Sequence, residues 1–173
     1  MNGSVIYIIA GVIIGLLLVA LIFKMTRNDG SFKCKFDERQ ELVRGRGFKY
    51  AFFTLITYNM FFALVYPALE KEFMDDSIRA FLGVLLAVLV YACYCIWHEG
   101  YFSLNENPKR VLIAFAIIAL CNLLIGIIQI SHHGFLVDGK ITFRSTNLFC
   151  ALVFVIIFLT LLLKSISKQG EEV

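Results

Sequence analysis

Long apolar stretches alternate with short polar segments along the whole chain. Five of these stretches, each 17 to 20 residues long, contain no Asp, Glu, Lys or Arg. A bilayer core of about 30 Å needs about 20 helical residues, with about 17 as a lower limit. Lipid offers no partner to a free backbone amide, and membrane strands would alternate polar with apolar residues, so the stretches predict helices. The predicted spans are Val5–Phe23, Tyr50–Leu69, Ala80–Trp97, Val111–Ile130 and Asn147–Leu163.

The composition supports the same class. Hydrophobic residues make up 60% of the chain and charged residues 17%, with a mean hydropathy of +0.81. A soluble domain is about half apolar and about a quarter charged. The first stretch follows "MNGSV", which has no basic residue, and no small-residue cleavage pattern ends it, so a retained helix is expected. The sequence predicts one all-α integral membrane domain over residues 1–173, in contact with the lipid bilayer.

The basic residues predict an orientation. Eight of the 16 Lys and Arg residues lie in the loop 24–49, two more are Lys109 and Arg110, and Lys164 and Lys168 follow the last span. The remaining four are Lys71, Arg79, Lys140 and Arg144. Because Lys and Arg concentrate in cytoplasmic loops, this split predicts the N-terminus outside, the C-terminus inside and an odd number of spans.

The basic loop 24–49 has two halves. "RNDGS" is rich in turn residues and predicts irregular chain. Asp37 with Gln40 three residues later fits a capping box, and Glu38 would lie in the first turn, where the helix dipole favours an anion. The pattern predicts a helix from about Glu38 that enters the membrane near Tyr50. Gly45 and Gly47 then indicate either a bend at the membrane surface or a close packing contact.

This helical extension of the second span has two interpretations. Capping and solvation alone explain its charges. Alternatively, its mixed charges form a surface for docking a protein, and the chain's own other loops are the nearest candidate. An amphipathic helix lying in lipid would need a broader apolar face. A polybasic lipid anchor would carry basic residues with few acidic ones among them. The candidate docking residues are Asp37, Glu38, Arg39, Gln40 and Arg44.

A resemblance begins in the same segment. "FDERQELVRGRGFKYAFF" resembles the cytoplasmic segment of a group of small multi-span bacterial membrane proteins of unknown function, which carry a D-E-R-x signature. The match covers Asp37–Gln40, Arg44 and Tyr50–Phe52, and the similarity extends to "VDGKITF" before the last span. The resemblance implies a multi-pass protein of the bacterial inner membrane. It implies no activity.

A β-hairpin is predicted before the last span, on the outer side. Asp138-Gly139 between two short apolar runs is a strong signal for a two-residue turn. Pairing around this turn places Leu136 opposite Ile141 and Val137 opposite Lys140. Because a lone hairpin is marginal in water, it must rest on helix ends or on a partner.

Small and polar residues inside the spans predict helix packing. Gly11 and Gly15 share one helix face, where a neighbouring helix or a second copy of the chain could approach closely. Neutral polar side chains in lipid usually form hydrogen bonds between helices. The candidates are Thr54, Thr57, Tyr58 and Asn59 in the second span and Asn122 and Gln129 in the fourth.

No pattern in the sequence indicates a catalytic, metal or cofactor site. Cys93 and Cys95 are two residues apart rather than in a C-x-x-C redox spacing, and the cysteines within spans are interpreted as small buried hydrophobes. His98 is interpreted as an interfacial residue and His132 and His133 as loop residues. The basic loop lies beside a membrane, which explains its charge without nucleic acid.

Three function classes remain. The first is a non-catalytic accessory or regulatory protein that docks another membrane or cytoplasmic protein through the first cytoplasmic loop. The second is a small transporter or channel subunit that works as a homo-oligomer. The third, an intramembrane enzyme, is the least favoured because the spans carry no charged groups. We therefore expect the first.

Overall fold

The computed structural model describes residues 3–69 and 72–171. Within them, five α-helices account for most of the chain. Lys71, one of the four cations used for the opposite side of the membrane, lies outside the described residues. The helices are α1 (Gly3–Thr26), α2 (Glu38–Val65), α3 (Asp76–Trp97), α4 (Pro108–His133) and α5 (Thr146–Glu171), with strands β1 (Leu136–Val137) and β2 (Lys140–Ile141) and 3₁₀ turns Tyr66–Ala68 and Phe143–Ser145.

Four helices, α2 to α5, are long and apolar enough to cross a membrane, and Ile13–Thr26 of α1 is a shorter apolar helix. Large hydrophobic side chains cover the outside of the bundle: Leu64 is 71% exposed, Leu17 66% and Ile113 60%. In water such a surface would be an aggregation liability, whereas lipid solvates it. The chain is a multi-pass membrane protein.

The helices form a row in the order α2, α3, α5, α4, α1, in which each packs mainly against its neighbours. The centre of the row is an apolar cluster between α3 and α5, made of Ala92, Ile96, Val153 and Ile157. At one end of the row, α1 has α4 as its principal neighbour. Four of the five predicted apolar stretches thus lie within one helix each, and the second, Tyr50–Leu69, runs past the end of α2 through the 3₁₀ turn.

Close helix packing occurs at glycines other than the predicted pair. A Cβ at Gly83 of α3 would lie 2.7 Å from the ring of Tyr58 in α2, and one at Gly126 of α4 would lie 3.1 Å from the backbone of Leu148 in α5. Gly15 has no atom within 4 Å of the corresponding position, and the surroundings of Gly11 lie outside the described side chains. Contact between copies at this face of α1 stays a prediction.

Polar side chains in the spans divide into two groups. Tyr58 donates to the carbonyl of Arg79, and Asn147 donates to Gln129 across the α4–α5 contact at 3.0 Å, as expected for bonds between helices. Asn59 and Asn122 instead donate to the carbonyl four residues earlier in their own helices, at 2.8 and 2.9 Å. Thr54 does the same. For these three residues the prediction of hydrogen bonds between helices was wrong. A short polar side chain in a helix can reach the carbonyl four residues earlier in the same helix.

The predicted hairpin is present in the predicted register. Leu136 pairs with Ile141 and Val137 with Lys140. Asp138 and Gly139 have φ of 51° and 78°, the positive values that a type I′ turn requires at both central positions.

The hairpin rests on the segment between α2 and α3. Ile141 donates to the carbonyl of Phe73 and accepts from Asp75, at 2.9 and 3.0 Å. Beneath this contact the Tyr66 hydroxyl donates to the carbonyl of Met74 at 2.7 Å, and Ile78 is fully buried. Of the two predicted supports, helix ends or a partner, the structure shows a contact with the segment just before α3.

The cysteines are free thiols with different surroundings. Cys95 is buried and Cys93 and Cys150 are half-buried, as predicted for small hydrophobes. Cys121 is exposed on the outside of α4, so for this residue the prediction was wrong. A thiol is apolar enough to face lipid as well as a protein core.

Candidate functional site: the polar cap and the start of α2

Two loops, residues 27–37 and 98–107, meet at one end of the bundle and form what we call the polar cap. Their main chains are joined by two hydrogen bonds, Asn28 to Asn105 at 2.9 Å and Leu104 to Lys35 at 2.7 Å, and Asn107 donates to the last residue of α1, Thr26, at 2.9 Å. As predicted, the first loop contains neither helix nor strand beyond one isolated bridge. The cap fixes the ends of α1, α3 and α4 relative to the start of α2.

Asn105 is the centre of the polar cap. Its side chain is buried, and its amide nitrogen donates to the Asp29 carboxylate at 3.1 Å and to the Lys33 carbonyl at 3.0 Å. Its amide oxygen accepts from the Lys35 backbone at 3.2 Å and from the Ser103 hydroxyl at 2.9 Å. One side chain thus uses both donors and both lone pairs to join the two loops.

Asp29 is held in its charged form by these contacts. The Ser31 backbone amide, then the Asn105 side chain and then Lys35 keep the pKa of Asp29 below its ordinary value of 3.8. Lys35 lies 3.3 Å from the same carboxylate. The carboxylate therefore orders the loop at neutral pH.

Arg27 is a charged residue buried beneath the polar cap, with only 3% of its surface exposed. Its guanidinium donates to the Ser31 carbonyl at 2.7 Å and to the Cys34 sulfur at 2.9 Å. Its Nε lies 4.0 Å from a Glu106 carboxylate oxygen and makes no hydrogen bond. The pairing with Glu106 offsets the cost of burying the cation.

The start of α2 packs against the polar cap. Asp37 and Gln40 form the predicted capping box, and the helix begins at Glu38. The Gln40 side chain also donates to the carbonyls of Glu99 and Phe102, at 3.3 and 3.0 Å. Arg39 lies 3.5 Å from the Glu99 carboxylate. Two of the candidate docking residues, Arg39 and Gln40, thus contact the chain's own second loop.

Glycines let α2 approach both α3 and the loop 98–107 closely. A Cβ at Gly47 would lie 2.9 Å from the Cys95 sulfur, and one at Gly100 would lie 2.6 Å from the Val43 side chain. Of the two alternatives for Gly47, the structure shows the packing contact. Gly45 has nothing within 4 Å.

Arg44 lies on the same covered side of α2. Its guanidinium carbon is 3.9 Å from the centre of the Phe36 ring and 5.9 Å from that of Tyr91. It borders a cavity of about 470 Å³ that the polar cap closes, with walls from α1, α4 and α5 that include Phe23, Phe115 and Phe154. Tyr101 also borders this cavity, and burial raises its pKa.

The opposite side of the first turns of α2 is uncovered. Its residues share one helical stripe with spacings of three and four, and all are exposed. Leu42 in the middle of the stripe is 67% exposed. We call this stripe the open face: Glu38, Glu41, Leu42, Gly45, Arg46 and Lys49.

The candidate docking residues therefore do not all lie on the same side of α2. Glu38 belongs to the open face, and Asp37 caps the helix. Arg39, Gln40 and Arg44 contact the polar cap or the aromatic rings beneath it. Sequence reasoning did not identify Arg27 or Asn105, although Asn107 before Pro108 marks the helix start beside them.

Comparison with known proteins found no matching family model, no matching curated protein and no matching solved structure. The function must therefore be inferred from the geometry of the chain itself.

Proposed function

We propose that the protein is a non-catalytic accessory or regulatory membrane protein that docks a partner through the start of α2. The observation that carries the proposal is the open face. The other side of the same turns is held against the polar cap by Gln40 and Val43 and against α3 by Gly47. A helix that is fixed on one side and bare on the other is a preformed binding surface, because little conformational entropy is lost on binding.

The open face favours a helical partner. Glu38 and Glu41 lie at the end away from the span, and Arg46 and Lys49 lie next to it. A complementary partner helix would carry basic residues opposite the first pair and acidic residues opposite the second, which would fix its direction. Gly45 allows the two backbones to approach, and Leu42 supplies the apolar contact.

Photocrosslinking in living cells tests the proposal. A photoreactive phenylalanine derivative at Leu42 is expected to capture one defined protein, whereas the same group at Phe32, 65% exposed on the polar cap, is not. The charge exchange Glu41→Lys with Arg46→Glu should abolish the capture while the protein still inserts. Glu41→Asp with Arg46→Lys, which keeps both charges, is the matched control and should retain it.

Two results would contradict the proposal. Capture that persists after the charge exchange would show that the open face does not recognise its partner. Capture of a second copy of the chain, in a stoichiometric complex, would instead favour the oligomeric transporter or channel subunit.

We further propose a five-span topology with the N-terminus outside and the C-terminus inside, in a bacterial inner membrane. The excess of Lys and Arg in the loops after α1 and α3 and in the C-terminal tail supports this orientation. Cys34 provides the test, because it is the exposed thiol in a loop. A membrane-impermeant thiol reagent should label Cys34 only after cells are opened, and the variant Cys34→Ser should lose the label. Labelling of intact cells would reverse the orientation.

A further inference from the structure

A groove between α1 and α4 opens to the outside of the bundle, beside the polar cap. Its volume is about 660 Å³, within the range of small-molecule pockets. The floor is apolar and accessible from outside: Met25 is 64% exposed, Ile113 60% and Ile117 56%. The residues that line it include Ile22, Lys24, Met25, Arg110, Ile113 and Ile117.

The charges of this groove are all positive. Lys24 and Arg110 border it, and none of the described residues that line it is Asp or Glu. Among the ion pairs of the described residues, neither cation has a carboxylate within 4.0 Å, and Arg110 makes one long bond of 3.4 Å to the Met25 carbonyl. Three nearby cations differ, because Arg27 and Lys35 of the polar cap and Arg39 of α2 each have an acidic partner.

The cations and the apolar floor of the groove follow one another along the helix axes. Lys24 lies in the last turn of α1, and Arg110 lies in the first turn of α4. The apolar floor continues from Arg110 to Ile117, about 10 Å deeper at a rise of about 1.5 Å per residue. Cations at the mouth and an apolar track beneath them match a molecule with an anionic head and a hydrocarbon chain.

We propose that this groove binds one anionic phospholipid, with the phosphate between Lys24 and Arg110 and an acyl chain along Ile113 and Ile117. Basic pockets between transmembrane helices are known to hold anionic headgroups. The groove is open to the bilayer, so the membrane supplies the ligand directly. The site is separate from the open face, and its occupancy does not depend on the docking proposal.

Native mass spectrometry of the full chain in detergent tests the site, with phosphatidylglycerol and phosphatidylcholine of the same acyl chains as probes. The parent protein should bind the anionic lipid more tightly. Lys24→Gln with Arg110→Gln should weaken that binding roughly thirtyfold, since each basic residue near an anionic lipid contributes about a fivefold factor. Lys24→Arg with Arg110→Lys, which keeps both charges, should retain it.

The matched control removes two other cations from the same end, Lys33 and Lys109, each to Gln. Neither lines the groove. If the control pair and the groove pair weaken binding of the anionic lipid equally, the proposal is overturned. The lipid would then be attracted by the overall positive charge of this end of the protein rather than by the groove. Equal affinity of the parent for the two lipids would overturn it as well, because the groove would then not recognise the headgroup.

Discussion

The two ends of the bundle are closed in different ways. At one end the loops of the polar cap are joined by backbone hydrogen bonds, by the buried amide of Asn105 and by an ion pair between the buried Arg27 and Glu106. At the other end the hairpin joins the segment 72–75 through backbone hydrogen bonds above the buried Met74 and Ile78. The first closure depends mainly on polar side chains, whereas the second depends on backbone pairing, one buried tyrosine hydroxyl and apolar volume.

The difference predicts how each end responds to mutation. A buried polar group that loses its partner costs the full desolvation of that group, so the polar cap should fail abruptly. An apolar contact loses energy in proportion to the volume removed, so the hairpin end should weaken by degrees.

Ile78→Ala should have the largest effect, a loss of about 2–5 kcal/mol in the free energy of unfolding, because Ile78 is fully buried and its truncation leaves a cavity. Ile113→Ala, at a position 60% exposed toward the lipid, is the control and should cost far less. Unfolding of the reconstituted protein measures both. Equal losses would show that the hairpin end has no tightly packed core.

Asn105→Ala should cost about 1–3 kcal/mol, because the Ser103 hydroxyl and the backbone groups of Lys33 and Lys35 lose their shared partner. Hydrogen exchange should rise at the amides of Asn28 and Leu104 together, since both pair across the polar cap. Asn28→Ala is the control, because the Asn28 side chain is exposed. Faster exchange at only one of the two amides would argue against a single cooperative cap.

Gly139→Val should destabilise the hairpin by about 1–2 kcal/mol, because a β-branched residue resists the φ of 78° at this position. The measurement is hydrogen exchange at the amide of Ile141, which bonds to the Phe73 carbonyl. The control is Asp138→Asn, since Asn tolerates positive φ. Unchanged exchange at Ile141 in the valine variant would show that the turn does not hold the hairpin against its neighbour.

Acid should loosen the polar cap, with the smallest of the four effects. The pKa of Asp29 is lowered in the folded state, so its contribution is fully present above its ordinary pKa of 3.8 and is lost as pH falls through the folded value. Thermal unfolding at a series of pH values should show this dependence for the parent and a weaker one for Asp29→Asn. The same slope in both would exclude Asp29 as its source.

Much of the fold follows from the sequence because its causes are local. Uninterrupted apolar stretches become helices because lipid leaves the backbone no other partner. Asp37 with Gln40 and Asp138 with Gly139 are short signals whose geometry is complete within four residues. In each case the pattern and its structural consequence lie in the same segment.

The polar cap could not be predicted, because its contacts join residues that are far apart in the sequence. Asn105 and Asp29 are 76 residues apart, and no local pattern states that two polar loops will lie side by side. Because residues four apart share one side of a helix, Gln40 and Arg44 lie on one side of α2 and Leu42 and Arg46 on another. Only the structure shows which of these two sides is covered.

The contact between α1 and α4 joins residues that are far apart in the sequence, and this has a consequence for biosynthesis. The bond from Arg110 to the Met25 carbonyl spans 85 residues, so α1 meets its principal neighbour only after α4 has been synthesised. At roughly 5–20 residues per second, this delay is about 4–17 s. In the proposed five-span topology, α1 therefore stays in the bilayer as a single helix during that time. The stretch Val5–Phe23 suits this state, because it contains no charged residue that would need a protein partner inside the lipid.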